Sequence, residues 1–211
     1  MRLITTTCSN TEIVHALGCG HMIIATDDYS DYPPELVADL PRVGPDLSID
    51  AKRVSSLNPD LVLASDTVPG HDKVIESLQA EGLNVFAPRT IGLDDVYRDI
   101  ADIAELLGVR ARGDALIEQM RNTMIDRGTR HGAPSIMVQW WPKPIIAAAR
   151  DSWIHDLINL AGGRDAMADV EARSQPLADD DPLLTQADTW VISWCGVKPE
   201  KYRPQVLYDR D

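Results

Sequence analysis

Aromatic side chains are scarce in this chain, with five Trp, five Tyr and one Phe among 211 residues. Tyr29, Tyr32, Trp140, Trp141, Trp153 and Trp194 nevertheless fall at loops and element ends rather than inside periodic apolar runs. Trp and Tyr in such places offer large, rigid surface with a polar tip, which suits stacking on a big planar or apolar ligand. For each of them the alternative is a plug in a core or a cap on a sheet. Bond-making patterns are thin by comparison. Gly18-Cys19-Gly20 resembles the start of a dinucleotide fingerprint, but it follows a helical segment instead of opening one. The sequence holds no phosphate-binding Walker loop, no HExxH and no GxSxG. His15, His21, His71, His131 and His155 lack metal-ligand spacing, so no metal site is expected. His71, in a loop after the third strand, is the one candidate axial ligand to a cobalt or iron centre; a solvated loop histidine is the alternative. His15 and His155 occupy similar places in two helices and read as partly buried structural residues. Cys195 reads either as a ligating thiol or as a small residue in a Cys-Gly turn. The runs Asp27-Asp28 and Asp179-Asp180-Asp181 lack a partner base and read as solvated or capping. The chemistry implied is recognition, not catalysis.

Two similar stretches position these residues. Residues 2–20 read as strand, polar loop, helix and glycine stop, and residues 145–163 repeat that order. Ser56 to Ser65 likewise parallels Thr185 to Ser193. Two such halves imply two lobes with a ligand cleft between them. Ser9-x-x-Glu12 reads as a capping box. Pro34 suits the first turn of a helix to Leu40, and 50–57 and 73–81 read as further helices. Leu61 to Ala64 is a short apolar run of the buried parallel type. Leu93, Val96, Ile100, Ile103 and Leu107 share one helical face. A second helix with Leu116, Met120 and Met124 then joins the halves. The expected organisation is an N-terminal α/β lobe over 1–108, a connecting helix over 109–132 and a C-terminal α/β lobe over 133–211. Alternating strands and helices predict parallel sheets in both lobes, with the ligand beyond the carboxyl ends of the strands.

The formal charge of −13 argues against nucleic acid, which needs clustered Lys and Arg. Three scattered cysteines, Cys8, Cys19 and Cys195, form neither a disulfide framework nor a metal motif. No run reaches the roughly 18–20 apolar residues of a membrane span. Met1-Arg2 leads straight into a strand without a signal peptide. The expectation is therefore a cytoplasmic protein or one whose export segment was removed.

Several blocks then resemble one family. Arg2 to Gly18 looks like its opening strand and helix start. Tyr29-Ser30-Asp31-Tyr32-Pro33-Pro34-Glu35 resembles its Asp-Tyr-Pro-Pro loop. Pro41-Arg42-Val43-Gly44 and Leu57 to Val62 are similar to its next helix–strand unit. Trp141-Pro142-Lys143-Pro144 through Ala161-Gly162-Gly163-Arg164 matches its second-lobe strand, Trp-bearing loop and helix end. Trp194-Cys195-Gly196-Val197 resembles a turn of one branch. Together these resemble the substrate-binding proteins of bacterial cobalamin importers. That family lies within the helical-backbone class (class III) of periplasmic binding proteins, which also handles haem, siderophores and metals.

The resemblance implies a fold of two Rossmann-like α/β lobes with parallel sheets joined by a long helix; because family members continue past Asp211, the second lobe is expected to be either incomplete in this sequence or shortened. It implies a non-enzymatic binder of a corrinoid such as cobalamin, held between the lobes, with no catalytic cofactor. Haem, a ferric siderophore or a metal ion is the first alternative, and a cytoplasmic corrinoid-handling protein or enzyme the second. Tyr32 falls on the family's stacking tyrosine, and Trp141 and Trp153 fit second-lobe positions. Asp46 and Ser65 fall where some members carry tryptophans. The implied partner is an ABC-transporter permease in a periplasmic or other extracytoplasmic setting. One docking carboxylate of the family falls on Lys52, a charge reversal, and the other on Asp180 or Asp181.

Overall fold

The computed structural model describes residues 1–129, 131–194, 203 and 205. The chain divides into two compact units, residues 1–90 with 97–119 and residues 91–96 with 120–211. The first contains β1 (Leu3–Thr5), α1 (Cys8–Ala16), a 3-10 turn (Gly20–Met22), β2 (Ile23–Thr26), α2 (Pro34–Val37), α3 (Ala51–Ser56), β3 (Leu61–Leu63), α4 (His71–Ala80) and β4 (Val85–Phe86). Its strands are all parallel, in the order β2-β1-β3-β4. Ile4 and Val62 from the sheet and Ala64 just past β3 pack with Val54, Val74 and Leu78 from the helices. These short, uninterrupted apolar strands are the kind a sheet covered on both faces requires.

The division falls inside the two helices that follow, α5 (Leu93–Leu106) and α6 (Arg110–Thr123). The expected apolar face of α5 is realised: Leu93, Ile100, Ile103 and Leu107 are buried and Val96 is half-buried. A Cβ on Gly113 would lie 2.5 Å from the Ala104 Cβ, so glycine is what lets α6 approach α5 there. The expected 109–132 helix is shorter, because past Thr123 the Arg127 N–H donates to the Leu160 carbonyl (2.9 Å) and leaves the helical path. The boundaries expected at 108/109 and 132/133 accordingly differ from the observed division.

The second unit holds β5 (Ser135–Pro142), β6 (Ile145–Ala148), α7 (Trp153–Leu160), β7 (Arg164–Asp165), β8 (Ser174–Leu177), a 3-10 turn (Pro182–Thr185) and β9 (Thr189–Ile192). Its sheet is mixed. Strand β5 pairs in parallel with β7 and β9, whereas β5–β6 and β6–β8 are antiparallel. This corrects the expectation of a parallel second sheet. Only Lys143 and Pro144 separate β5 from β6, and so short a link admits only a hairpin. Met137, Ile145, Ala147, Met167 and Leu177 form this unit's core.

The capping box is also corrected. Helix α1 starts at Cys8 after Thr7, which makes no side-chain cap bond, so Ser9 and Glu12 lie inside it. That register buries Asn10 and Thr11. The Asn10 amide donates to the Ala64 carbonyl (2.7 Å), and Thr11 meets the hydroxyls of Thr5 (2.7 Å), Thr26 (3.0 Å) and Ser30 (2.9 Å). Several buried hydrogen bonds outweigh a surface cap of about 1 kcal/mol.

Candidate functional site

In the first unit all strand carboxyl ends gather at one edge, where open α/β sheets bind ligands. A parallel bridge between Thr26 and Arg42 brings residues 41–43 beside β2, so the loop over 44–50 leaves from this edge too. Tyr29 (43% exposed) and Tyr32 (57%) sit in the loop after β2, Leu47 (49%) in the loop over 44–50, and Val68 (41%) in the loop after β3. These large apolar groups on loops of one edge are the candidates for a ligand-facing surface. The structure thus brings together both predicted tyrosines. It also corrects His15, which is exposed and meets the Tyr32 ring edge-on, with centroids 6.4 Å apart.

The tyrosine loop is held from below. Asp27 is fully buried; its Oδ2 accepts the Tyr29 N–H (2.9 Å) and its Oδ1 the Ser30 hydroxyl (2.5 Å). This is the local turn that Asp favours by bonding two residues ahead. Arg42 closes the loop, with Nη1 donating to the carbonyls of Asp27 and Ser30 (2.7 Å each) and Nη2 to that of Val37 (3.0 Å). Neither Asp27 nor Arg42 stood out in the sequence as a functional residue; the available signal was an Asp two residues ahead of an aromatic.

Burial pushes the Asp27 carboxyl above its ordinary range, against the pull of its bonds from Ser30 and Tyr29, and the Asp46 charge adds to the upward push. Burial, then Asp27, push the half-buried Cys8 thiol up to about 12, which keeps it protonated and unreactive. A carboxyl raised on folding holds its proton more tightly in the folded state. Its favourable contribution is therefore complete below the unfolded value and is lost as pH rises through the folded one. Wild type should lose stability relative to Asp27→Asn as pH rises from about 4. Melting temperatures of both proteins between pH 4 and 7 check this, and parallel profiles would contradict it.

The other first-unit candidates lie beside the tyrosines. His71 is 3% exposed and begins α4, which corrects the loop placement. Its Nδ1 accepts the N–H groups of Thr67 and Val68 (3.3 Å each), so the assigned tautomer carries its proton on Nε2. That nitrogen faces Asp46 Oδ2 at 3.6 Å. Ser65 is buried and its hydroxyl lies 3.0 Å from that of Thr67.

In the second unit, Trp140 and Trp141 stand on β5 rather than in a loop. Gln139 pairs with Ala147 and Trp141 with Ile146, which leaves Trp140 as the extra residue of a β-bulge. Bulges re-aim side chains, and the Trp140 ring lies 6.1 Å from that of Trp153 at 34°. Trp141 is 42% exposed and its Nε1–H donates to the Lys143 carbonyl (3.2 Å). Trp194 is buried, with Nε1–H on Gln139 Oε1 (3.3 Å). Cys195 lies outside the described residues. Asp181 caps the 3-10 turn through the Leu183 N–H (2.9 Å), while Asp180 is exposed. His155 is half-buried, as expected, with Nδ1 2.8 Å from Asp165 Oδ2.

The second unit also contains a cavity of about 500 Å³ that the sequence did not signal, lined by Leu93, Asp94, Asp95, Asp126, Asp156 and Asn159 among others. Three of its carboxylates cap backbone: Asp156 accepts the Leu93 N–H (2.7 Å), Asp95 those of Ile91 and Gly92, and Asp126 that of Gly128. Among the described residues no group of three or more His, Cys, Asp or Glu side chains is placed to hold a metal ion, and no helix is long and apolar enough to cross a membrane.

A family profile described as "Periplasmic binding protein" matches residues 3–211. The vitamin B12-binding protein of Vibrio cholerae (strain N16961) is 26% identical over 188 residues, covering 88% of this chain and 67% of that protein. The ABC transporter substrate-binding lipoprotein YvrC of Bacillus subtilis is 27% identical over 199 residues, covering 90% of this chain. This chain spans 62% of its length. Among solved structures, the periplasmic heme-binding protein RhuT of Roseiflexus sp. RS-1 in apo form superposes with a TM-score of 0.75 at 25% identity, over 90% of this chain and 75% of that one. The periplasmic vitamin B12 binding protein BtuF of Vibrio cholerae gives 0.74 at 24% identity, over 91% and 76%, a likeness of fold.

Proposed function

The chain belongs to the periplasmic binding protein family, and from that premise we propose that it binds a corrinoid such as cobalamin without chemical turnover, as the substrate-binding component of an ABC importer. The observation that carries this is the pair of exposed tyrosines, Tyr29 and Tyr32, at the carboxyl edge of the parallel sheet on a loop fixed by Arg42. An aromatic held rigidly in solvent loses little freedom when a ligand stacks on it. The Trp140–Trp153 pair and exposed Trp141 are the second unit's stacking candidates. Relatives named for vitamin B12 support the corrinoid over the other ligands of the family. The setting is extracytoplasmic and the partner a permease; exposed Asp180 is the better placed of the two docking carboxylates, since Asp181 is committed to its cap.

Titration of the purified chain with cyanocobalamin, read by absorbance and calorimetry, tests the reading. Saturable binding is expected, weakened about tenfold or more in Tyr32→Ala, the loss of roughly 1.4 kcal/mol of stacking. No spectral change and no heat at micromolar protein would overturn it.

A further inference from the structure

The first unit's ligand edge contains a polar pair that stacking does not use. Asp46 sits in the loop next to exposed Leu47, its side chain 32% exposed. Behind it lies His71, whose side chain is 4% exposed. Two backbone amides occupy Nδ1, which fixes the proton on Nε2, and that nitrogen has no hydrogen-bond partner among the described residues. It faces Asp46 Oδ2 at 3.6 Å, just beyond bonding range. A buried donor without an acceptor is costly, and a small movement of the Asp46 carboxylate satisfies it. Resting on the corrinoid reading above, we infer that Asp46, oriented by His71, is the ligand-recognising carboxylate of this edge: it accepts an N–H from a carboxamide on the ligand's rim and disfavours ligands whose rim carries carboxylates.

The charges nearby agree. Asp28 and Asp31 are exposed on the tyrosine loop. The Arg42 guanidinium is spent on three backbone carbonyls, and Arg89 lies 4.0 Å from Asp66. A carboxylate-bearing rim would meet like charge here, whereas a neutral amide meets an acceptor. Asp46 is thereby the specificity residue and His71 its positioning residue.

The full chain is titrated with cyanocobalamin, with each of the cyanocobalamin monocarboxylates in which one rim amide has been hydrolysed, with ferrichrome and with hemin, following tryptophan fluorescence. At least one monocarboxylate is expected to bind about tenfold or more weakly than cyanocobalamin. That ratio should collapse towards one in Asp46→Asn and invert in Asp46→Lys, substitutions at a half-exposed loop position. His71→Gln should relax the ratio in wild type and leave it unchanged in the Asp46→Asn background; a merely structural role would weaken all probes alike. A ratio near one for every monocarboxylate, or one indifferent to Asp46→Asn, overturns the inference while corrinoid binding stands. If cyanocobalamin does not bind, the corrinoid reading falls and the inference is decided by the other probes. Asp46-dependent binding of neutral ferrichrome over hemin supports it, whereas hemin binding indifferent to Asp46, or no binding at all, overturns it.

Discussion

Arg42→Ala is expected to lower the melting temperature by about 5–15 °C and to weaken ligand binding more than Tyr32→Ala does. The guanidinium donates to the carbonyls of Asp27, Ser30 and Val37. Hydrogen bonds from a charged donor contribute about 1.5–3 kcal/mol each, and a half-buried site recovers part of that from water, so the net loss is roughly 2–4 kcal/mol. For a chain of this size each kcal/mol moves the midpoint by about 2–4 °C. Arg42→Lys should rescue little, because one ammonium cannot reproduce a planar fork reaching three acceptors. The loop released is the one carrying Tyr29 and Tyr32, so a fixed stacking surface becomes a mobile one and the ligand must order it on binding. Circular dichroism melts and cyanocobalamin titrations check both halves; wild-type melting with wild-type affinity would refute the argument.

Gly44→Ala should be comparably severe. Its φ is +108°, and a Cβ there would lie 2.6 Å from the Ser48 carbonyl oxygen. The backbone conformation costs an L-residue roughly 1–2 kcal/mol, and the overlap adds about 1–3 kcal/mol because the obstacle is backbone and cannot rotate away. The strain falls on the binding edge: the Gly44 carbonyl accepts the Asp28 N–H (2.9 Å), and the next loop residues include Asp46 and Leu47. Gly82 is the control, with φ +74° but nothing within 4 Å of a Cβ. Urea denaturation should show Gly44→Ala losing clearly more than Gly82→Ala. Equal losses would mean that the Ser48 overlap is relieved for free.

Much of the first unit was legible because its signals are local. The run Leu61–Leu63, the apolar face of α5 and the helix expected over 50–57, realised as α3 over Ala51–Ser56, each report their surroundings through residue type and spacing alone. The turn at Asp27–Tyr29 is local too, an Asp bonding the N–H two residues ahead. The second unit was less legible. Strands β7 and β8 are short and polar, with no apolar run to announce them. The Trp140 bulge depends on β6 pairing one residue out of step, which no single strand encodes.

By itself, then, the sequence determined the α/β character, the absence of any recognisable catalytic motif and the concentration of aromatics at element ends, since these rest on composition and periodicities of a few residues. The tertiary structure decided which aromatics face solvent. Tyr29, Tyr32 and Trp141 do, while Trp194 is buried against Gln139. It alone set Arg42 beneath the tyrosine loop and His71 behind Asp46, across 25 residues of sequence. The physical reason is that exposure and hydrogen-bond partnership belong to pairs of distant residues, and only chain packing brings those pairs together.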